Sequence, residues 1–520
     1  MISLPQDRSR GLPALAALAA GLGFIALQMI AMSIAGGVFE YPLDDVYIHL
    51  AMAESIAAGE YGINPSEPAS AASSILYPFL LAPLSGSEVQ RFLPLVINFA
   101  AILAVGWFWG MALVEAGLRG GAGILFALLG PVALNVPGVG FTGMEHSLHT
   151  ATALALVIGL WRFLNGGPVG WLLIAGAVLG PLLRLEGQAL SLLAVAVVML
   201  QGRVRAGVGL GAAVLLPVAA FALYLTSLGL PPLPGSVMAK VGLAAPDLGG
   251  VDRLIFGVLV NLTSLAGRLL GALSVLLALI AMILLSKGER SQGILAGVLA
   301  IAGFAHLVGG QIGWMHRYEH YIIVAQVAAL LLAGSGLLAR EGLVARVFAL
   351  TACAMAAVAY YPTLLGLYVW NPRAIHLQQE QMGRFAQDWF KSAVLVNDLG
   401  RVAWRNPSYV FDAYGLGSPE ALTERLREGG AQKGWLAPFA AQKGVRLAMI
   451  YDRWFEEGVG EAWVKLAELT MENRRGALGG WEVSFYATDP AEAPVIAALL
   501  ADFAPTLPAG ALLVPVPVAP

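Results

Sequence analysis

Two adjacent aspartates, Asp44 and Asp45, follow directly after the first apolar stretch of the chain. Carboxylates at the edge of a membrane are costly to keep, so they often mark functional groups. One interpretation is structural: Asp44 caps a helix that begins at Asp45 and ends at Gly59, and Asp45 favours the helix dipole. The functional interpretation is a general base, which takes the proton from an acceptor hydroxyl as it attacks.

The segment from Tyr41 to Tyr77 surrounds this pair with further polar groups. Its apolar residues Val46, Leu50 and Ala53 share one helical face, which predicts an amphipathic helix lying on a membrane surface. His49 comes four positions after Asp45, on another face. The residues of this segment predicted to bind substrate or shape the site are Tyr47, His49, Asn64, Glu67, Ser73, Ser74 and Tyr77.

Two more charged motifs lie at the ends of apolar stretches. Glu145 and His146 open the fourth stretch, within TGMEHSLHTA, and Arg184 and Glu186 lie in a polar turn between two short ones. Because charges inside a membrane usually pair, Arg184 is predicted to form an ion pair with Glu186 or Glu145. Such a network can also orient a base, so these residues remain candidates for shaping the site.

Fixed cations can stabilise the negative charge that develops on a departing phosphate. The candidates for this role are Lys240 in LPGSVMAK, Arg317 in HRYEH, and Arg184. For Lys240, the alternative is a side chain that only reaches for water at the membrane surface. The neighbours of Arg317 that are predicted to shape the site are His316, Tyr318 and His320.

A divalent metal ion is the one cofactor that these residues leave open. Its candidate ligands are Asp45, His49, Glu145 and His146, where an ion would bridge a carboxylate and a phosphate. The chain has no HExxH motif, in which two histidines on one helix face bind zinc. It also has no P-loop, no Rossmann glycine fingerprint and no Gly-x-Ser-x-Gly, so soluble nucleotide-sugar chemistry is unsupported.

Composition places these motifs in a membrane protein. Of 520 residues, 58% are hydrophobic and 12% charged, and the mean hydropathy is +0.75, whereas soluble domains carry about 25% charged residues. The net charge of −3 gives no indication of a nucleic-acid partner. The single cysteine, Cys353, excludes an internal disulfide.

About eleven stretches are long and apolar enough to be membrane spans, since a bilayer core needs about 20 residues per helix. The predicted spans are 13–38, 91–114, 121–136, 144–164, 170–183, 187–201, 207–229, 254–285, 292–310, 320–338 and 346–368. The fifth and sixth are short and meet at Arg184–Gly187, which predicts two half-helices that line a site.

Lysine and arginine in short loops predict the orientation of a membrane protein, because they stay on the cytoplasmic side. The residues that define this side here are Arg8, Arg10, Arg119, Arg162, Arg203, Arg205, Lys287, Arg290, Arg340 and Arg346. The N-terminus is then cytoplasmic and the C-terminus outside. The predicted external loops are 39–90, 137–143, 184–187, 230–252 and 311–319, and the motifs described above are predicted to lie on this outer face, in these loops or next to them.

After Asn371-Pro372 the sequence has ordinary polarity and alternates short strands with helices, which predicts an external α/β domain over 371–520. The preceding residues, 1–370, form the predicted membrane domain, with amphipathic helices in the loop 39–90. The predicted strands are Val394–Val396, Tyr409–Phe411, Arg446–Tyr451 and Glu482–Tyr486. The predicted helices are 418–428, 435–442, 461–470 and 491–503, and the Pro-rich tail is expected to be irregular.

Taken together, these motifs resemble the GT-C superfamily of membrane glycosyltransferases, in particular its bacterial arabinofuranosyltransferase-like branch. The matching sequences are DDVYIHLAMAESIAAGEYGINPSEP, SSILYPFLLAPL, TGMEHSLHTA, RLEG, LPGSVMAK and VNDLGRVAWRNPSYVFDAYGLGSPEA. The chain departs from the family at Ser70–Tyr77, where the family often has EGYTSPLW. It also departs at Pro234-Gly235-Ser236, where the family often has Pro-Asn-Thr.

The resemblance implies a GT-C-like membrane fold in the bacterial inner membrane and a polyprenyl-phosphate sugar as donor. It implies an acceptor hydroxyl on a glycan or glycolipid at the outer face, transfer with inversion, and membrane lipids as further partners. By motif position it implies that Asp44 is the general base, with Asp45 as the rival. The alternative is a transporter or flippase of a lipid-linked sugar, which the interrupted helices would also suit.

Overall fold

The computed structural model describes residues 11–244, 250–335, 343–427, 430–472 and 474–517. Arg8, Arg10 and Arg340, which helped to predict the orientation, lie outside the described residues, as does the side chain of Lys240. The same holds for the ends of the predicted segments 320–338 and 418–428, for residues 245–249 of the predicted loop 230–252, and for the last three residues of the tail.

Helices make up most of the chain as far as Gly366. In chain order they are α1 (Gly11–Ile34), α2 (Asp45–Ala57), α3 (Tyr77–Leu81), α4 (Leu93–Glu115), α5 (Gly120–Ala133), α6 (Val136–Phe141), α7 (His146–Leu164), α8 (Trp171–Leu183), α9 (Gln188–Leu200), α10 (Val204–Ser227), α11 (Gly235–Ala244), α12 (Gly250–Thr263), α13 (Leu265–Ser286), α14 (Arg290–Gly309), α15 (His320–Ala333) and α16 (Leu343–Gly366). Strands β1 (Gly62–Asn64) and β2 (Glu67–Pro68) form a small hairpin after α2.

Within the described residues, eight helices are long and apolar enough to cross a membrane, and three shorter apolar helices accompany them. Each predicted span overlaps one of these helices, which confirms a helical protein of the membrane-spanning type. The two short helices predicted around the polar turn are α8 and α9, joined by a 3-10 turn at Leu185–Gly187. The single span predicted at 254–285 is wrong, because the helix is broken at Ser264, whose side chain caps α13.

The chain divides into two compact units. Over the described residues, the first comprises 11–29, 95–220, 250–335 and 343–366. Its buried core consists mainly of small and branched apolar side chains, with some aromatic ones, from α1, α4–α10 and α13–α16. Small residues allow helix backbones to approach closely, as is usual between membrane helices: at Gly159 in α7, an added Cβ would lie 2.7 Å from the Leu173 Cα of α8.

The second unit comprises the described residues within 30–94, 221–244 and 367–517. The compact units therefore divide the chain differently from the boundary predicted at residue 370, since the predicted external loop 39–90 belongs to the same unit as the C-terminal residues. The helices of this C-terminal part are α17 (Asn371–Leu377), α18 (Gln379–Arg384), α19 (Gly400–Ala403), α20 (Pro419–Arg425), α21 (Leu436–Gln442), α22 (Asp452–Phe455) and α23 (Ala493–Phe503). The strands are β3 (Val394–Val396), β4 (Val410–Asp412), β5 (Leu447–Ile450), β6 (Val464–Met471), β7 (Glu482–Ala487) and β8 (Ala511–Pro515).

These six strands form one mixed sheet in the order β4-β3-β5-β7-β6-β8. Strand β3 runs parallel to both β4 and β5, and the remaining pairs are antiparallel. The predicted α/β character and the four predicted strands are confirmed. Two predictions are wrong: 461–470 forms strand β6 where a helix was expected, and the tail contributes the edge strand β8.

Helix α2 begins at the predicted residue, but its environment differs from the expected membrane surface. Residues Val46 to Ala53 are all buried, so the first two turns have no polar face toward solvent. Helix α19 of the same unit packs against α2. The prediction of an amphipathic surface helix is therefore wrong, because the residues on all faces of its first two turns are buried.

Candidate active site

Asp44 is held by the backbone of the C-terminal part of its unit. Its Oδ2 accepts a hydrogen bond from the Gly400 amide at 2.7 Å, and its Oδ1 accepts one from the Arg401 amide at 2.8 Å. The side chain makes no capping hydrogen bond to α2, so the predicted cap is wrong. Both carboxylate oxygens are occupied by amides from a distant segment, and Asp44 is only 9% exposed.

The position of the Arg401 amide is fixed by the Arg401 side chain. Its guanidinium donates to Glu380 Oε1 at 3.1 Å and lies 3.8 Å from Glu40 Oε2. It also lies over the Tyr47 ring, at 5.1 Å from the centroid, and the Tyr47 hydroxyl donates to Glu40. Tyr47, which the sequence singled out, thus shapes the site through the network that orients Arg401.

Three carboxylates lie within electrostatic reach of one another here. Burial, and then the charge of Asp398, raises the pKa of Asp44 well above its usual value, and Asp45 adds to this effect. Burial likewise raises the pKa of Asp398, with a further contribution from Asp45. Because like charges in a buried place disfavour ionisation, this cluster can hold a proton that an isolated aspartate would lose.

Asp398 follows strand β3 and was not singled out from the sequence as a site residue. Its Oδ2 accepts a hydrogen bond from Gln379 Nε2 at 2.9 Å and lies 3.1 Å from the hydroxyl of Tyr451, which follows strand β5. A signal for it existed in the sequence. Asn397-Asp398 come directly after a predicted buried strand, at the edge of a parallel sheet where ligand-binding residues tend to lie.

Other predicted residues of the first loop contact one another. His49 is buried, with Nε2 3.2 Å from Ser73 Oγ and its ring against that of Tyr77 at 5.3 Å between centroids. Ser74 Oγ accepts a hydrogen bond from the Tyr77 amide and so stabilises the start of α3. These contacts fix the chain that follows the aspartates.

Asn64 and Glu67 connect the β1–β2 hairpin to the C-terminal part of the same unit. The Asn64 amide donates to the Val410 carbonyl at 3.0 Å and accepts from the Val410 amide at 2.9 Å, as a neighbouring strand would. Glu67 forms an ion pair with Lys443 at 2.9 Å. Both residues shape the unit through these contacts.

In the first unit, Arg184 lies between two carboxylates. Its guanidinium forms ion pairs with Glu145 at 3.0 Å and with Glu186 at 2.5 Å, so both predicted pairs are present. Glu145 is fully buried and Arg184 is 4% exposed. The guanidinium also lies over the Tyr318 ring at 5.5 Å, and the His146 ring lies 5.6 Å from that ring.

Arg317 follows an unusual turn in the same unit. Trp314, Met315 and His316 all have positive φ, from 45° to 65°, a conformation that costs energy in residues with a Cβ. The turn is closed by the Gly313 amide, which donates to Glu319 Oε2 at 2.8 Å. Arg317 is 2% exposed and donates to the Tyr318 hydroxyl at 3.2 Å.

A small cavity of about 90 Å³ lies beside this turn. Its lining is mainly apolar, with side chains from the start of α13, and His316 and Tyr360 supply the polar atoms at its wall. The rings of His316 and Tyr360 meet edge to face at 5.2 Å. The first unit thus holds an apolar space next to the strained turn that positions Arg317.

The candidate metal ligands do not form a ligand set. Across the described ranges, no three His, Cys, Asp or Glu side chains gather closely enough to hold an ion. His316 and His320 flank Glu319 in an H-x-x-E-H spacing that can bind zinc in a helix. Here α15 begins only at His320, and both ring nitrogens of His320 are engaged, by Thr150 Oγ1 at 2.9 Å and by the Leu134 carbonyl at 2.8 Å.

The predicted residues thus fall into two groups, one in each unit. The second unit contains both aspartates, the polar residues of the first loop and the backbone of Lys240, which lies in α11. The first unit contains the Arg184 network and the turn at Arg317. Besides Asp398, the residues that sequence reasoning missed are Glu40, Gln379, Gly400, Arg401 and Tyr451.

Comparison with known proteins gives one match. A family model described as "Domain of unknown function (DUF8728)" matches residues 370–486, which span strands β3 to β7. No curated protein and no solved structure matches the chain significantly. The match covers part of the sheet-containing region and carries no functional description.

Proposed function

We propose that this protein is a GT-C-type glycosyltransferase that moves a monosaccharide from a polyprenyl-phosphate donor to a hydroxyl of a glycan or glycolipid. The observation that carries the proposal is the pair Asp44-Asp45, in which two amides hold the buried Asp44 carboxylate and the adjacent Asp45 is half-buried. General-base catalysis requires a carboxylate that a substrate hydroxyl can reach and whose position is fixed.

In this proposal Asp45 is the base and Asp44 is the residue that positions it. A base must come within hydrogen-bond reach of the acceptor hydroxyl, and a carboxylate whose two oxygens already accept amide hydrogen bonds is poorly available for that contact. Asp45 is the next residue along and the first residue of α2. The anchored backbone at Asp44 therefore limits where the Asp45 carboxylate can point.

The reaction is a single displacement. The acceptor oxygen forms a bond to the anomeric carbon while the bond from that carbon to the phosphate oxygen breaks. The hydroxyl proton goes to Asp45, and the bonding electron pair leaves with the polyprenyl phosphate. Attack opposite the leaving group inverts the anomeric carbon.

The sequence offers Arg317 and Arg184 as candidates to stabilise the departing phosphate. Arg184 forms ion pairs with Glu145 and Glu186. Arg317 follows a strained turn of the kind that is retained at functional sites. Lys240 remains a candidate from the sequence, and no metal takes part in the scheme.

The cellular setting of the proposal is the bacterial inner membrane, with the sheet-containing region on the outer side. The support for it is the distribution of lysine and arginine among the short loops, together with the resemblance of the motifs. A donor that is itself a lipid suits a protein with eight helices that can cross a bilayer among its described residues.

The test is sugar transfer in proteoliposomes. A panel of radiolabelled polyprenyl-phosphate monosaccharides is offered with a crude envelope-glycan extract, with and without chelator. Asp45→Asn is expected to lose transfer by at least about 100-fold, the usual contribution of a general base. Asp44→Asn is expected to lower transfer less and to lower thermal stability, because its amide group can accept only one of the two hydrogen bonds.

Three outcomes would contradict the proposal. Full transfer by a well-folded Asp45→Asn variant would show that Asp45 is not the base. If wild type transferred no sugar from any donor, the proposed enzymatic function would be rejected. Movement of labelled lipid between leaflets would then favour a flippase. Loss of transfer with chelator would require a metal that the scheme omits.

A further inference from the structure

The sheet of the second unit has a switch in its connections. From β3 the chain passes to β4 on one side, and then returns to β5 on the other side of β3. Strands β3 and β5 are adjacent and parallel, with Val396 paired to Met449. In open α/β sheets, ligands bind in the crevice at the carboxyl ends of the strands where such a reversal occurs. Asp398 and Tyr451 follow these two strands.

Polar groups that can bind hydroxyls lie at this position. The Tyr451 hydroxyl lies 2.5 Å from Gln378 Oε1 and 3.1 Å from Asp398 Oδ2. Gln379 Nε2 donates to Asp398 and to the Tyr451 hydroxyl, at 2.9 Å each. Gln379 is fully buried, yet among the described residues its Oε1 has no hydrogen-bond partner. A buried acceptor without a donor is costly, and a ligand hydroxyl would satisfy it.

An exposed aromatic side chain lies next to these polar groups. Trp454, on α22, is 39% exposed, and its ring meets that of Tyr451 edge to face at 5.1 Å. The Tyr414 ring also lies near Trp454, at 6.2 Å between centroids. The indole ring is therefore supported by two tyrosines while part of its surface faces solvent. A rigid aromatic surface beside hydrogen-bonding groups suits a ligand with apolar and polar faces, as a sugar ring has.

Two glycines allow the chain to pass close to this aromatic group. A Cβ added at Gly479 would overlap the Trp454 ring, and one added at Gly480 would lie 2.6 Å from Tyr451 Cδ1. The Gly480 carbonyl accepts a hydrogen bond from Gln378 Nε2 at 3.4 Å. The segment Gly479-Gly480 thus contacts both the aromatic ring of Trp454 and the polar groups around Tyr451, so these groups belong to one continuous surface.

We propose that Trp454, Tyr451, Gln379 and Asp398 form a binding site for one sugar ring of a neutral glycan. The apolar face of the ring packs on the indole of Trp454, one hydroxyl donates to Gln379 Oε1, and another donates to Asp398. The ligand is neutral because a sugar carboxylate or sulfate would be repelled by the cluster of Asp398, Asp44 and Asp45, which stays negative even when these three carboxylates hold one proton. That this glycan is the acceptor of the transfer rests on the proposed function.

The test measures binding and transfer separately, with the full-length protein in nanodiscs. The probe is a mixture of neutral oligosaccharides of two to six sugars, released from bacterial envelope by mild acid and titrated by saturation-transfer difference NMR. Trp454→Ala is expected to weaken binding at least tenfold, while Trp454→Phe, which keeps an aromatic face, is expected to retain most of it. Trp171→Ala, which removes an exposed tryptophan from the other compact unit, is the control and should bind as wild type does.

In the transfer assay, Trp454→Ala is expected to raise the KM for the acceptor at least tenfold. Binding that is absent in wild type, or unchanged in Trp454→Ala, would overturn the site. Binding that depends on Trp454 but a KM that does not would overturn its assignment to the acceptor. If wild type bound the oligosaccharides but transferred no sugar, the binding site would be supported. The proposed function would be rejected, and the assignment of the glycan as acceptor with it.

Discussion

The carboxylate of Asp44 lies 2.7 Å from the amide nitrogen of Gly400, although 356 positions separate the two residues in the chain. With the second hydrogen bond, from the Arg401 amide, this contact joins the loop after the first apolar helix to the segment that follows strand β3. Asp398 lies in that same segment. A change in the C-terminal region should therefore alter the position or the titration of the aspartates in the first loop.

Gly400→Ala tests this connection directly. An added Cβ would overlap the Asp44 carbonyl oxygen and lie 2.8 Å from Asp44 Oδ2, so the two segments must separate. We expect a loss of stability of about 1–3 kcal/mol, the usual effect of forcing extra volume into a packed site. We also expect transfer to fall at least tenfold, because the backbone that positions Asp45 would shift. Thermal unfolding and the transfer assay would measure both effects.

Gly209→Ala is the matched control for this substitution. Gly209 lies within α10, where an added Cβ would meet no atom within 4 Å. Alanine there should leave activity unchanged and stabilise the helix slightly, by about 0.5–1 kcal/mol. Equal activity in the two variants would show that the contact between Asp44 and Gly400 has no role in positioning the base.

Asp398→Asn should change the titration of Asp44. Burial and the Asp398 charge raise the pKa of Asp44, so the folded protein binds this proton more tightly than the unfolded chain. The corresponding stability is present below the unfolded pKa of about 4 and is lost as the pH rises through the folded value. Removing the Asp398 charge lowers the pKa of Asp44, so unfolding should depend less on pH above about pH 4. Melting temperatures of both proteins across this range would test it, and parallel curves would contradict it.

Much of the second unit could be predicted from its sequence. The buried strand Val394–Val396 is a short run of β-branched and apolar residues, and the structure places β3 at the same residues. Strand β6 could not be predicted, because VKLAELTM contains Leu, Ala, Glu and Lys, which favour helices. Its pairing with β7 on one side and β8 on the other overrides that local preference.

The aspartate pair shows which contacts of the site could not be predicted from the sequence. The pattern indicated that one of the two carboxylates caps a helix, and a capping position is local information. The actual donors to Asp44 are amides of Gly400 and Arg401, which no local pattern connects to it. Asp398 and Tyr451 were missed for the same reason: they become neighbours only when β3 and β5 pair in parallel. Predicted strand positions alone do not give that order.

Glu145→Gln tests the charge network of the first unit. Glu145 is fully buried and paired with Arg184, so its neutral variant leaves the guanidinium with less compensation. Breaking a buried pair from one side typically costs about 3–5 kcal/mol. The matched control is Glu115→Gln, which breaks the more exposed pair with Arg162 at 2.8 Å and should cost less than about 1 kcal/mol. Equal losses of thermal stability in the two variants would contradict a special role for the buried network.

Asp412 provides a second test of pH dependence, at the end of strand β4. It is fully buried, and its carboxylate accepts hydrogen bonds from the amides of Tyr414, Leu416 and Gly417 at 2.6–2.9 Å. These bonds favour the ionised form, but burial outweighs them and raises the pKa to about 6. Stability from this group is therefore fully present below about pH 4 and is lost as the pH rises through about pH 6, by at most about 3 kcal/mol.

Asp412→Asn removes this titration, because an amide has no proton to lose in that range. We expect wild type to lose thermal stability between about pH 4 and pH 6, and the variant to lack this part of the decline. The variant should also be less stable than wild type at neutral pH, since its NH₂ group cannot accept the amide hydrogen bonds that the carboxylate accepts. Asp388→Asn, at an exposed aspartate of the same unit, controls for the substitution itself. If wild type and Asp412→Asn lose stability in parallel over this range, the titrating group lies elsewhere, and the hydrogen bonds to Asp412 outweigh its burial.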